Sequence, residues 1–520
     1  MSKNLLNVRA YNNKELLLFP ASVGDYLPKG HLAHVVDEAV EELDLNCLYK
    51  KIAPVGNQAY HPALMVKIWF YGYATRTYSS RKIEEKLNTD VAFIYLAGMQ
   101  KPDFRTISDF RKNNIEQLKE LFIKIVQLCH RLGMIKLGEI ALDSKVMKAN
   151  ASIDRTYTEK ELIKEQEVIK QAIKEYLERS SQVDEQEDEI YGLDKRGNEL
   201  PKDIQDKQER IKKMKEILKQ LEQAQNKLKE SGKEKINLTD EDARIQKTKS
   251  GKFSGYRCQT VVDSKEQVII ANDVTNEQND IGQLIPMVDK ALENIREIEP
   301  DRLCSNSPQE KIKLLADSGY GSVKNLNEIE KEQYADKIES YIPDPNNEHT
   351  DKYHKQDSKF HKSKFIYNRQ DDSFICPCKN RLYRRTRTIM AGTIYLLYSN
   401  FKACKCCKYF KECSISKDGR TIFVSQYQDI INRMRQKLSS EAGKNIYARR
   451  KVIVEPVFGN MSYNLGFKEF LLRKRKVKGE FSLMCIAHNL IKILKKTTKM
   501  GATVKEALTI RNLAPITSGP

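Results

Sequence analysis

Apolar residues recur at spacings of three and four along HLAHVVDEAVEELDL (31–45), which predicts an amphipathic helix. HPALMVKIWFYGYATR (61–76) predicts a second, with Pro62 near its start, where a missing N–H costs little. SSRKIEEKLNTDVAFIYLAG (79–98) and ISDFRKNNIEQLKELFIKIVQLCHRLG (107–133) extend the pattern, so residues 1–135 read as an all-α domain. The character changes at LGEIALDSKVMKANAS (137–152), where EIALD is a short apolar run ending in an aspartate. A charged helical tract then occupies 157–240. Ile211, Met214, Leu218, Leu221 and Leu228 space a heptad seam along its second arm, and GLDKRGNELP (192–201) interrupts it, which predicts a helical hairpin or coiled coil.

Strand signals return in 241–345. YRCQTVVD (256–263) and QVIIANDVT (267–275) predict a β-hairpin, IGQLIPMVDKALENI (281–295) a helix, and KIKLLADSGYG (311–321) and ESYIPDP (339–345) two more strands. Residues 346–435 are polar, basic and cysteine-bearing, 436–500 return to a helical pattern, and 501–520 form a tail. With the two inserted segments set aside, the order is strand, strand, strand, helix, strand, strand, helix. That order predicts an α/β, RNase H-like mixed sheet flanked by helices, its first part at 136–156.

Charge narrows the partner. The 520 residues carry 90 Lys and Arg against 71 Asp and Glu, a net charge of +19 and a pI near 9.2. A surplus of this size suggests a polyanion. No window approaches the ~18 apolar residues of a spanning helix, which argues against a membrane. The first twenty residues lack the apolar core of a signal peptide, and eleven cysteines, an odd number, suit a reducing compartment. The expected setting is cytoplasmic.

Three acids stand out by context. Asp143 ends EIALD, Asp317 ends KIKLLAD just before Ser318-Gly319-Tyr320-Gly321, and Glu455 sits within the apolar stretch of RRKVIVEPVFG. Carboxylates gathered at a sheet edge repel one another unless a divalent cation neutralises them. Two such ions can activate an attacking oxygen and stabilise the leaving oxygen of an in-line phosphoryl displacement.

ALDSKVMKANAS (141–152), LLADSGYGSVKN (314–325) and the stretch from RRKVIVEPVFG to NLIKI (449–493) resemble the three catalytic blocks of bacterial insertion-sequence DDE transposases. Residues 67–113 resemble the helical domain preceding the core in one large group of them, and FSGYRCQTVVD (253–263) and NDVTNEQND (272–280) resemble that group's core strands. The resemblance implies that Asp143, Asp317 and Glu455 are the catalytic, metal-binding triad for Mg²⁺ (or Mn²⁺), with two ions. It implies binding to the terminal inverted repeats, cuts that expose 3′-OH groups, and joining of those groups to target DNA without ATP. No G-x-x-x-x-G-K-[ST] loop is present. It also implies a homodimer on DNA and a bacterial, nucleoid-associated location. Some relatives carry a Tyr, an Arg and a Lys around the Glu. Here the position seven after Glu455 is Ser462, the position four before is Lys451, and the nearest upstream tyrosine is Tyr447, so a hairpin route to second-strand cleavage is left open.

Residues 441–500 hold 14 Lys and Arg against four Asp and Glu, a surplus of ten beside Glu455. Arg449, Arg450, Lys451, Arg473, Lys474, Arg475, Lys476 and Lys478 are therefore candidate DNA contacts, with Arg384 and Arg385 in the cysteine segment. Arg76, Arg81, Lys82, Arg105, Arg111 and Lys112 give the N-terminal domain a basic side, expected to bind DNA. Six cysteines fall within 376–413. Cys376, Cys404, Cys407 and Cys413 are the candidate Zn²⁺ quartet, Cys378 and Cys406 are spare or alternative ligands, and reduced thiols are the competing reading. His31 and His34 are expected to cap or pack. Two other functions stay open: a non-catalytic DNA-binding or architectural protein, and an RNase H-like nuclease without strand transfer.

Overall fold

The computed structural model describes residues 22–52, 58–191, 202–248, 251–303, 310–344, 354, 357–390, 393–425 and 427–513. The chain divides into two compact units, Met1–Gly133 with Ile486–Pro520, and Met134–Cys485. No helix among the described residues is long and apolar enough to cross a membrane.

The first unit is helical: α1 (Leu32–Glu41), α2 (Asn46–Tyr49), α3 (Pro62–Ala74), α4 (Ser80–Thr89), α5 (Val91–Leu96), α6 (Phe104–Asn113) and α7 (Ile115–Arg131). Eleven of the thirteen residues of α3 are buried, so this helix is the centre around which the others pack. The predicted helix over 79–98 is two, because the Asp90 carboxylate accepts the Ala92 N–H at 2.9 Å and starts a new helix there. Likewise 107–133 breaks at Asn114. Arg111, read as surface charge, is buried. Its guanidinium lies 4.2 Å from the centre of the Trp69 ring and donates to the Tyr73 hydroxyl at 3.0 Å. His31 caps α1, its Nδ1 accepting the Ala33 N–H at 3.2 Å, and the His34 ring meets Tyr95 edge-on.

The second unit is built on a six-stranded mixed sheet. Its strands are β1 (Glu139–Lys148), β4 (Arg244–Thr248), β5 (Gly251–Asp263), β6 (Ile269–Thr275), β7 (Ile312–Ala316) and β8 (Ile338–Tyr341). β1 is central, antiparallel to β5 and parallel to β7, and β7 is parallel to β8. β4 and β6 share the other edge of β5, both antiparallel. Helices α10 (Leu284–Ile298), α11 (Val323–Ile329) and α12 (Glu332–Ala335) connect the strands.

Two segments interrupt this core. Between β1 and β4, strands β2 (Thr156–Thr158) and β3 (Lys235–Asn237) pair at the base of the helices α8 (Glu159–Tyr191) and α9 (Lys202–Ser231). Leu221 and Leu228 of the predicted seam are buried there with Leu162 and Ile236, so the base of the seam is closed within the chain. The interruption at 192–201 lies outside the described residues. After β8 comes a five-stranded antiparallel sheet, β9 (Ile366–Asn368), β10 (Ser373–Ile375), β11 (Arg381–Met390), β12 (Thr393–Ser399) and β13 (Thr421–Ser425). The short helices α13 (Phe401–Lys405) and α14 (Phe410–Cys413) lie between β12 and β13. Helix α15 (Gln428–Ser439) spans the predicted boundary at 435, and Arg435 pairs with the buried Asp344 at 2.5 Å. α16 (Glu441–Gly459) and α17 (Lys476–Met500) follow. The predicted tail contains α18 (Val504–Leu513), which belongs to the first unit, its Val504 N–H donating to Glu38 at 2.6 Å.

Candidate active site

The register of β1 and β7 decides where two of the acids fall. Leu142 lies opposite Ala316 in the parallel ladder, so the next residues, Asp143 and Asp317, come side by side. Asp143 does not end its strand. The apolar half ends there, and Ser144–Lys148 continue the pairing with β5. Asp317 does end β7, capping the turn Ser318–Tyr320 by accepting the Gly319 N–H at 2.8 Å. A Cβ on residue 319 would lie 2.9 Å from Asp317 Oδ1, so a larger residue there would push that carboxylate aside. Burial, with Asp317 nearby, pushes the Asp143 carboxyl up to about 6, against the Ser144 N–H and Arg450, which favour its charge. Asp317 is also raised, by burial and the neighbouring Asp280, with Gly319 N–H, Arg450 and Arg257 opposing.

The third acid arrives on a helix. Arg450 of α16 donates to Asp143 Oδ2 at 3.0 Å, and its other nitrogen is 3.9 Å from Glu455. Burial opposes the Arg450 charge, but Asp143, Tyr447 and Asp317 outweigh it and hold the guanidinium firmly protonated. Tyr447, one turn earlier, shares this face and hydrogen-bonds Arg450. Glu455 is five residues on, about 140° around the helix, and its side chain is half exposed. Pro456 removes one N–H from α16 and frees the carbonyl of Val452. The Gln267 amide, from the β5–β6 turn, donates to that carbonyl at 2.7 Å. Beyond α16, Lys145 of β1 donates to Ser462.

Among the described residues, no three His, Cys, Asp or Glu side chains stand where they could hold a metal ion. The two aspartates fit a hard cation by their chemistry, being adjacent, half-buried and mutually repelling. Glu455 would have to turn inward to join them.

Several predicted DNA contacts are engaged within the chain. Arg449 pairs with the buried Glu139 at 2.9 Å, Lys474 with Glu241 at 3.3 Å, Lys478 with Asp273 at 2.9 Å and Arg384 with Asp372 at 3.6 Å. Arg473 donates to the Asn150 carbonyl at 2.9 Å, and Arg385 lies 6.0 Å from the Phe401 ring. Lys451, Arg475 and Lys476 are exposed, Lys451 one turn before Glu455 on the same side of the helix. In the five-stranded sheet, Cys376, Cys378, Cys404, Cys407 and Cys413 all line one cavity of about 20 Å³, and Cys378 hydrogen-bonds Cys407. Cys406 is exposed and does not line it. Cys129, Cys258 and Cys485 are buried.

Residues 375–494 match a family model described as a transposase DDE domain, and residues 21–113 match one described as a transposase domain (DUF772). Two separate parts of the chain are thus similar to transposase domains, the later one to a DDE domain. Proteins with such domains generally use divalent metal ions. The DDE match contains Glu455, Arg450 and the cysteine cluster, whereas Asp143 and Asp317 precede it. No curated protein matches. A solved structure described as a piggyBac transposase synaptic complex with hairpin DNA is similar over 96% of this chain and 85% of that one, at 10% identity and a TM-score of 0.31.

Sequence reasoning missed the side chains that stand behind the aspartates: Asp280, Arg257, Gln259 and Tyr320. A signal was present, since Arg257 and Gln259 stand two residues apart in the buried part of β5 and so mark one polar side of it.

Proposed function

We propose that this transposase binds the ends of its element, makes metal-dependent cuts that expose 3′-OH groups, and joins them to target DNA by phosphoryl transfer. The parallel register that sets Asp143 beside Asp317 is the observation that carries the reading. The strand order, with β1 antiparallel to β5 and β5 to β6 on one side and β7 and β8 parallel to β1 on the other, supports an RNase H-like core. Asp143 and Asp317 would hold Mg²⁺ or Mn²⁺, and Glu455 would complete the set. A bound divalent ion activates the attacking oxygen and stabilises the leaving one.

The chain's own groups do the rest. Arg450 keeps Asp143 ionised and aimed, and Tyr447 packs behind Arg450, a pairing that keeps the hairpin route open although its spacing from Glu455 is five rather than four. Lys451, Arg475 and Lys476 offer exposed charge to phosphates, so binding weakens with salt. Cys376, Cys404, Cys407 and Cys413 would hold a structural Zn²⁺, with Cys378 as an alternative ligand; the five thiols line one small cavity but would have to draw closer together to bind it. The protein acts as a homodimer on double-stranded DNA, in the bacterial cytoplasm.

The test is incubation of the purified protein with end-bearing DNA and Mg²⁺, followed by sequencing of product termini. Defined 3′-OH ends and joined products are expected. Asp143→Ala, Asp317→Ala and Glu455→Ala should each remove cleavage while leaving DNA affinity largely intact, and full cleavage by any of them would sink that residue's assignment.

A further inference from the structure

Side chains alternate along β1, so Ser144 faces away from the side that carries Asp143 and Lys145. On that other side lies a ring of buried polar groups. Arg257 Nη1 donates to Ser144 Oγ at 3.2 Å and to Asp280 Oδ2 at 2.9 Å, and its Nη2 donates to the Gln278 carbonyl at 2.8 Å. The second Asp280 oxygen accepts Gln259 Nε2 at 2.7 Å, and Gln259 Oε1 accepts the Tyr320 hydroxyl. Tyr320 also hydrogen-bonds Ser144, which closes the ring. Gln259 and Tyr320 are fully buried, and Asp280 nearly so.

The ring joins four elements. Ser144 is the residue after Asp143, and Tyr320 is three residues after Asp317. Asp280, at the turn after β6, is the one group bonded through Arg257 to the first and through Gln259 to the second. A Cβ at residue 319 would sit 2.9 Å from Asp317 Oδ1 and 3.7 Å from Asp280 Oδ2, so the two carboxylates flank the same glycine. A buried ion pair contributes little net stability against apolar packing, because desolvation of both charges offsets their attraction. A bonded polar ring does fix geometry, even with Arg257 Nε left without a partner, since each hydrogen bond holds its two members in one arrangement.

We infer that Asp280 is a positioning residue that sets the separation of Asp143 and Asp317, acting through Arg257–Ser144 on one side and Gln259–Tyr320 on the other. The inference rests on the proposed active-site reading, in which those two aspartates bind the metal. It assigns Asp280 no contact with DNA or with the reacting atoms.

The test uses the full-length protein and two readouts: Mn²⁺ affinity by electron paramagnetic resonance, and single-turnover end cleavage across an Mg²⁺ series. Asp280→Asn and Arg257→Gln should each weaken Mn²⁺ binding and raise the half-saturating Mg²⁺ concentration by about tenfold, the scale at which groups behind metal ligands act. The double variant should be no worse than the weaker single, because both break one ring. Asp280→Glu, which keeps the charge but displaces it, should fall between wild type and Asp280→Asn, and it supplies the measurement if Asp280→Asn does not fold. Wild-type Mn²⁺ affinity in a folded Asp280→Asn or Asp280→Glu overturns the inference, as does additive loss in the double variant. Wild-type protein that binds Mn²⁺ but cuts no DNA overturns the functional reading alone, with the variants' Mn²⁺ affinities still deciding the role of Asp280. Wild-type protein that binds no Mn²⁺ overturns both.

Discussion

The Arg450 guanidinium reaches across from α16 to Asp143 at 3.0 Å and lies within 3.9 Å of Glu455, so one side chain spans the strand acid and the helix acid. Removing its charge leaves Asp143 buried beside Asp317 without a cationic partner. Arg450→Gln should therefore lower end cleavage by about 10–100-fold, the scale at which groups that orient metal ligands act. Lys cannot reproduce the planar fork and should restore only part of the loss. Cleavage kinetics at saturating Mg²⁺ measure this, and wild-type rates in Arg450→Gln would remove Arg450 from the site.

Five cysteines, not four, border the small cavity of the antiparallel sheet, and Cys406 is not among them. Purified protein should hold one Zn²⁺ per chain. Cys404→Ser or Cys407→Ser should empty the site, whereas Cys406→Ser should leave its zinc content unchanged. Metal analysis of the three variants separates the outcomes. Zinc-free wild-type protein expressed with ample zinc would mean that the thiols serve packing alone.

Gln267 compensates for Pro456 by capping the Val452 carbonyl. Gln267→Ala should cost about 0.5–1 kcal/mol, the net worth of one hydrogen bond at a partly wet site. In a Pro456→Ala background, where the helix can bond that carbonyl itself, the same substitution should cost much less. Denaturant unfolding of the four-member cycle reads the coupling directly; equal costs in both backgrounds would show that the two residues act independently.

Burial alone would raise the Asp273 carboxyl, yet Lys290 and Lys478 outweigh it and hold it below the usual carboxylate value. A depressed folded-state pKa gives stability that is present above the unfolded value and lost as pH falls through the folded one. Asp273→Asn should thus lower stability by about 0.5–1 kcal/mol at pH 7. Its difference from wild type should fade below about pH 3.9, the unperturbed value for aspartate. Thermal unfolding across pH 3–7 shows whether the gap closes, and a gap constant across that range would remove the ion pair as its cause.

Much of the core was legible because EIALD and KIKLLAD are near-continuous apolar runs, as strands buried on both faces must be. The two aspartates follow from the same runs, since each stands where the apolar stretch stops. Arg450 was not legible as an active-site group. Its partner lies 307 residues away, and a family spacing of four drew attention to Lys451, whereas the helix turns its neighbour inward. The cysteine segment hid its sheet for a related reason. Its longest strand, RLYRRTRTIM, is largely exposed and polar on both sides, so no alternation marks it. Arg111 was misread because charge normally signals surface, and nothing local announces that Trp69 and Tyr73 will enclose it. Asp90 shows the smaller kind of miss, a single capping carboxylate that splits a continuous apolar pattern.

The pairing of β2 with β3 at the base of the α8–α9 hairpin bears on how this protein folds. β1 and β5 must meet across about a hundred intervening residues, a long loop for the central contact of a sheet. The hairpin contacts are made within the insertion itself, so they can form before the sheet does. Once they have formed, the flexible chain left between the two strands is only about twenty residues. Loop-closure entropy grows with the logarithm of length, and this shortening lowers the cost of joining β1 to β5 by about 1.4 kcal/mol. The insertion thus acts as an internal splint, and deleting it while joining Thr156 directly to Asn237 should leave the rate of sheet formation nearly unchanged.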